Sequence, residues 1–268
     1  MPKIAILMYH SIISPNDDPD LFSTEDPIYT IKAEMFEKQI QYLYEHNFPV
    51  LTLDDIFQKI NLRNDQTIII LTFDDGHISN YTTVFPMLKK YRFKAHFFIP
   101  TGWINKPNYM TEIMIKELSN YGMAIGSHTI THRFLTKLSK SEIIKELRES
   151  KKLLEKIALK EVKHLSIPGG RVNKKILKLA KDVSYKSVFT SHIGFNSLKS
   201  NTFLNLKRIP IKQNITFEQF KKILNGKISK KYIVKTYLFD VSKKILGDSL
   251  YGDFRKIVLD LFSLNKKI

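Results

Sequence analysis

Ile68-Ile69-Ile70-Leu71-Thr72-Phe73-Asp74-Asp75-Gly76 decides the reading of this chain: an unbroken apolar run that ends in two adjacent carboxylates and a glycine. A run apolar on both faces reads as a strand covered on both sides, the pattern of parallel α/β sheets. Residues just beyond the carboxyl end of such a strand are where these folds keep their sites. An Asp-Asp-Gly there also serves as a plain turn, with Asp bonding its own backbone and Gly accepting positive φ. Further on, Ser127-His128-Thr129-Ile130-Thr131-His132 sets two imidazoles four residues apart. Two neutral His nitrogens and one carboxylate give a divalent ion three protein ligands and leave positions open for water and substrate, as catalytic zinc is held. The second carboxylate is then free to act as a base.

Outward from that core, strand and helix patterns alternate. Residues 3–9 read as a strand, and Phe36, Ile40 and Leu43 follow helical spacing. Thr52 with Asp55, and Ser139 with Glu142, are capping boxes opening a short and a long helix. The buried stripe of the long helix is predicted as Ile143, Leu147, Leu153, Leu154 and Ile157. Strands are expected over 67–73, 94–99, 123–126, 163–167, 186–190 and 206–211, with helices over 84–91, 112–121, 174–181 and 217–224. Such alternation implies a parallel sheet with crossover helices.

Taken together, Met8-Tyr9-His10-Ser11, Leu71 to Gly76, Ala95 to Gly102, Gly126 to His132, Ile167 to Gly170 and Arg208-Ile209-Pro210 resemble the polysaccharide deacetylases, carbohydrate esterase family 4, with its NodB-homology domain. The resemblance implies an α/β fold, a distorted and incomplete (β/α) barrel over residues 1–228. It implies that Asp74 is the catalytic base and that Asp75, His128 and His132 bind the metal. Zinc is the expected ion, with cobalt, nickel or iron also suited to this donor set. The implied reaction is removal of N-acetyl groups from a sugar, glycan or lipid-linked glycan precursor.

The chain departs from the family pattern in two places. The third motif, normally Arg-x-Pro-aromatic-Gly, reads Ser166-Ile167-Pro168-Gly169-Gly170. The Gly169 N–H is still suited to holding an oxyanion, whereas the Arg that orients the base is missing and Arg171 is taken as its substitute. The Leu-x-His motif that supplies the acid is also absent. His10 is assigned that role, because the branch resembling poly-N-acetylglucosamine deacetylases opens with a comparable Tyr-His. Of the other histidines, His96 is expected in the core or lining, His77 at the cleft edge beside the Asp pair, and His46 and His164 at the surface or a strand start. Trp103 is expected to pack its loop, a sugar-stacking wall being the alternative.

The 268 residues suffice for one barrel domain, and the absence of cysteine excludes disulfides and thiolate ligands. The opening Met1-Pro2-Lys3 shows no cleavage site and no stretch approaches ~18 apolar residues, so a cytoplasmic location is expected. The net charge of +17 favours anionic surfaces, yet no nucleic-acid-binding motif is evident, and nucleic acid is not expected as a partner. Residues 229–268 mix apolar residues with lysine as a basic amphipathic, helical C-terminal extension. Packing on the barrel and peripheral contact with the inner face of an anionic membrane are both open to it. Three alternatives to the N-deacetylase remain open: an O-acetyl esterase, an iron oxygenase built on the same two-His-one-carboxylate set, and a non-catalytic glycan-binding protein on the same barrel.

Overall fold

The computed structural model describes residues 3–22, 27–58, 67–197, 203–229 and 232–233. The chain divides into two compact units, Met1–Gly226 and Lys227–Ile268. Nearly all described residues lie in the first unit, and the expected amphipathic extension falls almost wholly outside them. Among the described residues, no helix is long and apolar enough to cross a membrane.

In chain order the strands are β1 Lys3–Tyr9, β2 Ile12–Ile13, β3 Ile31–Lys32, β4 Ile68–Phe73, β5 His96–Ile99, β6 Ala124–Ser127, β7 His164–Ser166, β8 Ser187–Ile193, β9 Asn196–Ser197 and β10 Leu206–Pro210. The α-helices are α1 Ala33–Glu45, α2 Leu53–Phe57, α3 Phe85–Lys90, α4 Glu112–Tyr121, α5 Lys140–Ala158, α6 Lys174–Asp182 and α7 Phe217–Leu224. Seven strands run parallel in the order β10-β8-β7-β6-β5-β4-β1, and β1 pairs back to β10. The result is a closed seven-stranded (β/α) barrel, one strand short of the usual eight. Closure is light: β1 meets β4 over six residue pairs, from Ile4↔Ile68 to Tyr9↔Phe73, but meets β10 only at Leu7↔Ile209 and Met8↔Pro210. β9 adds an antiparallel edge at Lys3↔Ser197, and β2 pairs with β3 outside the barrel. These two-residue strands are too short to leave a periodic signature in the sequence.

Period-two alternation sends one face of each strand into the lumen. At its lower end Ile4, Ile6, Ile68, Ile70, Phe98, Phe189 and Leu206 pack together, with Leu53 and Ile56 of α2 in the same cluster. Each such side chain contributes about 1.5–3 kcal/mol on leaving water. Both predicted capping boxes form, at Thr52 and at Ser139. The stripe of α5 differs from expectation. Leu153 is exposed, whereas Glu146 and Ser150 join Ile143, Leu147, Leu154 and Ile157 on the buried face. At 100° per residue, positions 143, 147, 150, 154 and 157 share one side and 153 falls off it.

The amino ends of the strands carry a polar cluster. His164, expected at the surface or a strand start, does begin β7 but is buried. Its Nε2–H donates to Asp54 Oδ2 at 3.3 Å, which leaves Nδ1 to accept from Ser187 Oγ at 2.8 Å. His96 lies beside it in the core, accepting the Leu53 N–H at 3.0 Å through Nε2. The His164 hydrogen bond, with further help from Lys163, holds the Asp54 carboxyl well below its ordinary range against the opposing effect of burial. An acid whose folded pKa is depressed stabilises the fold above its unfolded pKa, about 3.9, and that contribution fades as pH falls through the folded value. Wild type should therefore exceed Asp54→Asn in stability at pH 6, with the gap shrinking progressively below about pH 4. Urea unfolding of both proteins across pH 2.5–7 checks this.

Candidate active site

The carboxyl ends of the strands converge on the residues singled out in the sequence. Asp74 follows β4, its N–H donating to Tyr9 O at 3.0 Å. The chain then turns sharply: Asp75 has φ 71° and Gly76 φ 64°. A left-handed Asp is tolerated because its short polar side chain bonds locally, but two successive left-handed residues mark a backbone held by its surroundings. This turn sends the two carboxylates to different partners.

Asp75 faces the histidines. Its Oδ1 lies 3.3 Å from His128 Nε2 and 3.2 Å from His132 Nε2, and the imidazole rings are 4.8 Å apart. The three candidate ligand atoms all lie within 4.8 Å of one another. Asp75 Oδ1 is buried without a hydrogen-bond partner. His128 Nδ1–H donates to Ser166 O at 2.8 Å, which leaves its Nε2 lone pair directed at the cluster. A ligand histidine anchored through its other nitrogen is the usual support of a metal site. Donor chemistry, the orphaned oxygen and this anchor together fit a divalent ion.

Asp74 faces a cation. Arg208 Nη1 donates to Oδ1 and Nη2 to Oδ2, each at 2.8 Å, while Ser166 Oγ donates to Oδ2 at 3.1 Å. Arg208 is fully buried and is fixed in turn by Nε on Thr190 O at 2.9 Å and Nη2 on Ser166 Oγ at 3.0 Å. The orienting Arg therefore comes from β10, and the assignment of that role to Arg171 is corrected. The Arg171 guanidinium instead lies over the Phe134 ring, 4.0 Å from its centroid. Ser166 stands where the family motif has Arg and leaves room for the Arg208 guanidinium. Beside it the pairing with β8 is irregular, four residues of β8 from Phe189 to Ile193 spanning two of β10 from Leu206 to Arg208.

Charge follows this geometry. Burial pushes both carboxyls up, but Arg208 and His128 outweigh it at Asp74, and His128 and His132 outweigh it at Asp75, so both are held below the ordinary value. Burial likewise opposes the imidazolium of His128, and the two carboxylates overcome it and raise its pKa. His10 sits across the cluster, with Nε2 3.9 Å from Asp75 Oδ2 and its ring 4.4 Å from Tyr29. Burial lowers its pKa despite Asp75 and Asp74. Its backbone oxygen accepts from Asn80 Nδ2 at 2.7 Å, and its Nδ1 is buried without a partner.

Gly169 has φ 61° in the turn Pro168–Gly170, and a Cβ there would lie 2.4 Å from the Phe134 ring. Phe134 thus takes the space that a side chain at 169 would need. Trp103 lies 4.8 Å from both His132 and Tyr109, so its loop packing brings it against the site. His77 is fully buried rather than at the cleft edge, bonded to Ser79 Oγ and Leu21 O at 2.8 and 2.9 Å. His46 caps α1 at the surface.

Seven parallel strands, an Asp-Asp pair past β4 and a His pair past β6 are the features to set beside known proteins. Residues 61–188 match the polysaccharide deacetylase family model. The chain is 31% identical over 219 residues to the poly-beta-1,6-N-acetyl-D-glucosamine N-deacetylase of Staphylococcus aureus, covering 76% of this chain and 75% of that one. It is also 31% identical over 194 residues to YxkH of Bacillus subtilis, covering 72% of this chain and 66% of that protein, just under two thirds of its length. Among solved structures, the Streptococcus pyogenes deacetylase PplD in complex with acetate superposes with a TM-score of 0.73 at 27% identity, covering 85% of this chain and all of PplD. The chain belongs to the polysaccharide deacetylase family.

Breaking a buried ion pair by removing one partner costs about 3–5 kcal/mol, since the other charge is left uncompensated. Arg208→Met should destabilise the barrel by about that amount. Asp74→Asn combined with Arg208→Met should cost less than the sum of the single changes, as read by urea unfolding of the four proteins of the cycle.

Proposed function

We propose that this protein is a metal-dependent hydrolase that removes N-acetyl groups from a sugar or glycan. The observation that carries the reading is the division of labour between adjacent carboxylates, one locked to a buried guanidinium and the other aimed with two imidazoles at a common point. Asp75, His128 and His132 would hold the ion, with zinc the expected occupant. When bound, the ion supplies Lewis acidity toward a water and toward the acyl oxygen.

Asp74 takes the proton of the attacking water. An ionised carboxylate offers about four acceptor sites. Arg208 fills one on each oxygen and Ser166 a second on Oδ2, so capacity remains on Oδ1. The same guanidinium keeps Asp74 ionised and fixes its plane, as a resting base requires. The Gly169 N–H donates to the oxyanion. The C–O bond forms first and gives that oxyanion; on its collapse the C–N bond breaks, and His10 delivers a proton to the departing amine. Its lowered pKa makes it a ready donor once charged. Trp103 and Tyr29, on the His132 and His10 sides, offer flat walls for a sugar ring. The N-acetylated glycans named for the relatives are the substrate class to try first, with O-acetyl esters a chemical extension of the same attack.

Acetate release from N-acetylated oligosaccharides and lipid-linked sugars by zinc-loaded protein tests the reading. Asp74→Asn should lose at least about 10²-fold in turnover while still binding zinc, and His128→Ala should lose both. Retention of near-normal turnover by Asp74→Asn would sink the base assignment. Glycan binding with zinc held but no acetate released would point to the non-catalytic alternative.

A further inference from the structure

The loop carrying both metal-site histidines is itself held by a buried acid that the chemistry does not use. Glu146 lies on the inner face of α5 and is 5% exposed. Its Oε2 accepts the backbone N–H groups of Ile130 at 2.8 Å and Thr131 at 3.0 Å, and its Oε1 accepts Thr131 Oγ1–H at 2.6 Å. Three donors between His128 and His132 thus converge on one carboxylate.

That loop needs holding. Thr129 and His132 have φ of 68° and 60°, a region that a β-branched Thr in particular disfavours. One turn further along α5, Ser150 donates to the Glu146 carbonyl at 2.6 Å. This leaves its oxygen to accept from Ser127 Oγ at 2.7 Å, and Ser127 accepts the Thr129 N–H at 3.1 Å. On the opposite side the loop is met by Thr101 N–H on Thr129 O at 3.0 Å and Gly102 N–H on Ile130 O at 2.9 Å. The approach at 102 is so close that a Cβ there would sit 2.6 Å from Ile130 O. The Ile130 and Thr131 N–H groups of the strained turn therefore end on α5, and the Thr129 and Ile130 carbonyls on the segment after β5.

We propose that Glu146 is a positioning residue of the metal centre, setting the spacing of the two histidines by clamping the backbone between them. The proposal rests on Asp75, His128 and His132 holding a metal. The three contacts need an acceptor oxygen for the two N–H groups and a polar atom for the Thr131 hydroxyl, which alanine at this position removes altogether. Supporting partners outside the ligand set typically contribute 10–100-fold to metal affinity.

Cobalt(II) is the probe, since its visible absorption reports ligand geometry directly and its affinity is measurable by competition with a chromogenic chelator. Wild type, His132→Ala, Glu146→Ala and Ser187→Ala are compared, the last removing a buried hydrogen bond at the far end of the barrel. Glu146→Ala should bind cobalt about 10–100-fold more weakly with a displaced absorption band, while Ser187→Ala should match wild type in both. Wild-type affinity and spectrum in Glu146→Ala would overturn the proposal, as would an equal loss in Ser187→Ala, the mark of general destabilisation. Failure of wild type to bind cobalt, or undiminished binding by His132→Ala, would overturn the metal-site reading itself and the proposal with it. Should Glu146→Ala not fold, Thr131→Val removes one of the three donors and decides on the same two readouts: a weaker affinity with a displaced band supports the clamp, and wild-type values overturn it.

Discussion

Two carboxylates on consecutive residues, withdrawn from solvent at the end of a strand, are the constraint from which the upper half of this barrel follows. Two unit charges about 4 Å apart repel by ~4 kcal/mol at an effective dielectric near 20, and burial penalises each separately. The protein meets this by turning the backbone between them into the left-handed region at Asp75 and giving each carboxylate its own counter-group. Arg208 answers Asp74 with a fixed charge and two parallel hydrogen bonds. The histidines answer Asp75 with nitrogens whose protonation is negotiable. Identical side chains thereby acquire different chemistry from their surroundings.

That division explains which groups are left unsatisfied. Asp74 is engaged on both oxygens, while Asp75 Oδ1 is buried without a hydrogen bond. His128 commits one nitrogen to Ser166 O and leaves the other facing Asp75. A buried acceptor without a partner costs about 1–3 kcal/mol, which a fold retains where something else supplies the missing interaction. The lower end of the barrel is arranged differently, since His164 is bonded through both nitrogens to Asp54 and Ser187.

Much of this was legible because it is local. The apolar run before Asp74 and the four-residue spacing of the histidines are short-range patterns, and the alternation of strand and helix signals gave the parallel sheet, which the family resemblance sharpened to a barrel. The two most informative partners were hidden because their significance is tertiary. Arg208 lies in a strand far along the chain from Asp74, and nothing beside it shows that its alternation points inward at the height of the Asp pair. Its sequence signals were its place in the Arg208-Ile209-Pro210 segment of the family resemblance and its alternation with Leu206 and Pro210, beside an exposed Lys207. Glu146 and Ser150 carried a comparable signal, polar residues on the apolar stripe of α5. Assigning Leu153 to that stripe obscured it, because hydrophobicity was followed where helical phase should have been. His77 was hidden for the same reason, and His164, though it opens β7 as expected, is buried there: a polar side chain is free to be buried wherever neighbours such as Ser79 and Ser187 satisfy it.

Loss of the motif Arg looked at first like grounds for doubting catalysis, and the barrel shows why that inference is weak. What the base requires is a planar, permanently charged fork at a given height in the lumen. Every strand sends alternate side chains inward, so the requirement can be met from a different strand provided the original position is vacated. Here Ser166 vacates it, and its small hydroxyl still bridges, donating to Asp74 while accepting from Arg208. The Thr190 carbonyl of β8, accepting from Arg208 Nε, fixes the fork in place. Gly169 and Phe134 make a similar pair, a missing side chain on one loop matched by a ring from another. A motif in a barrel is therefore better judged by which inward positions are occupied at one level than by which residues are consecutive.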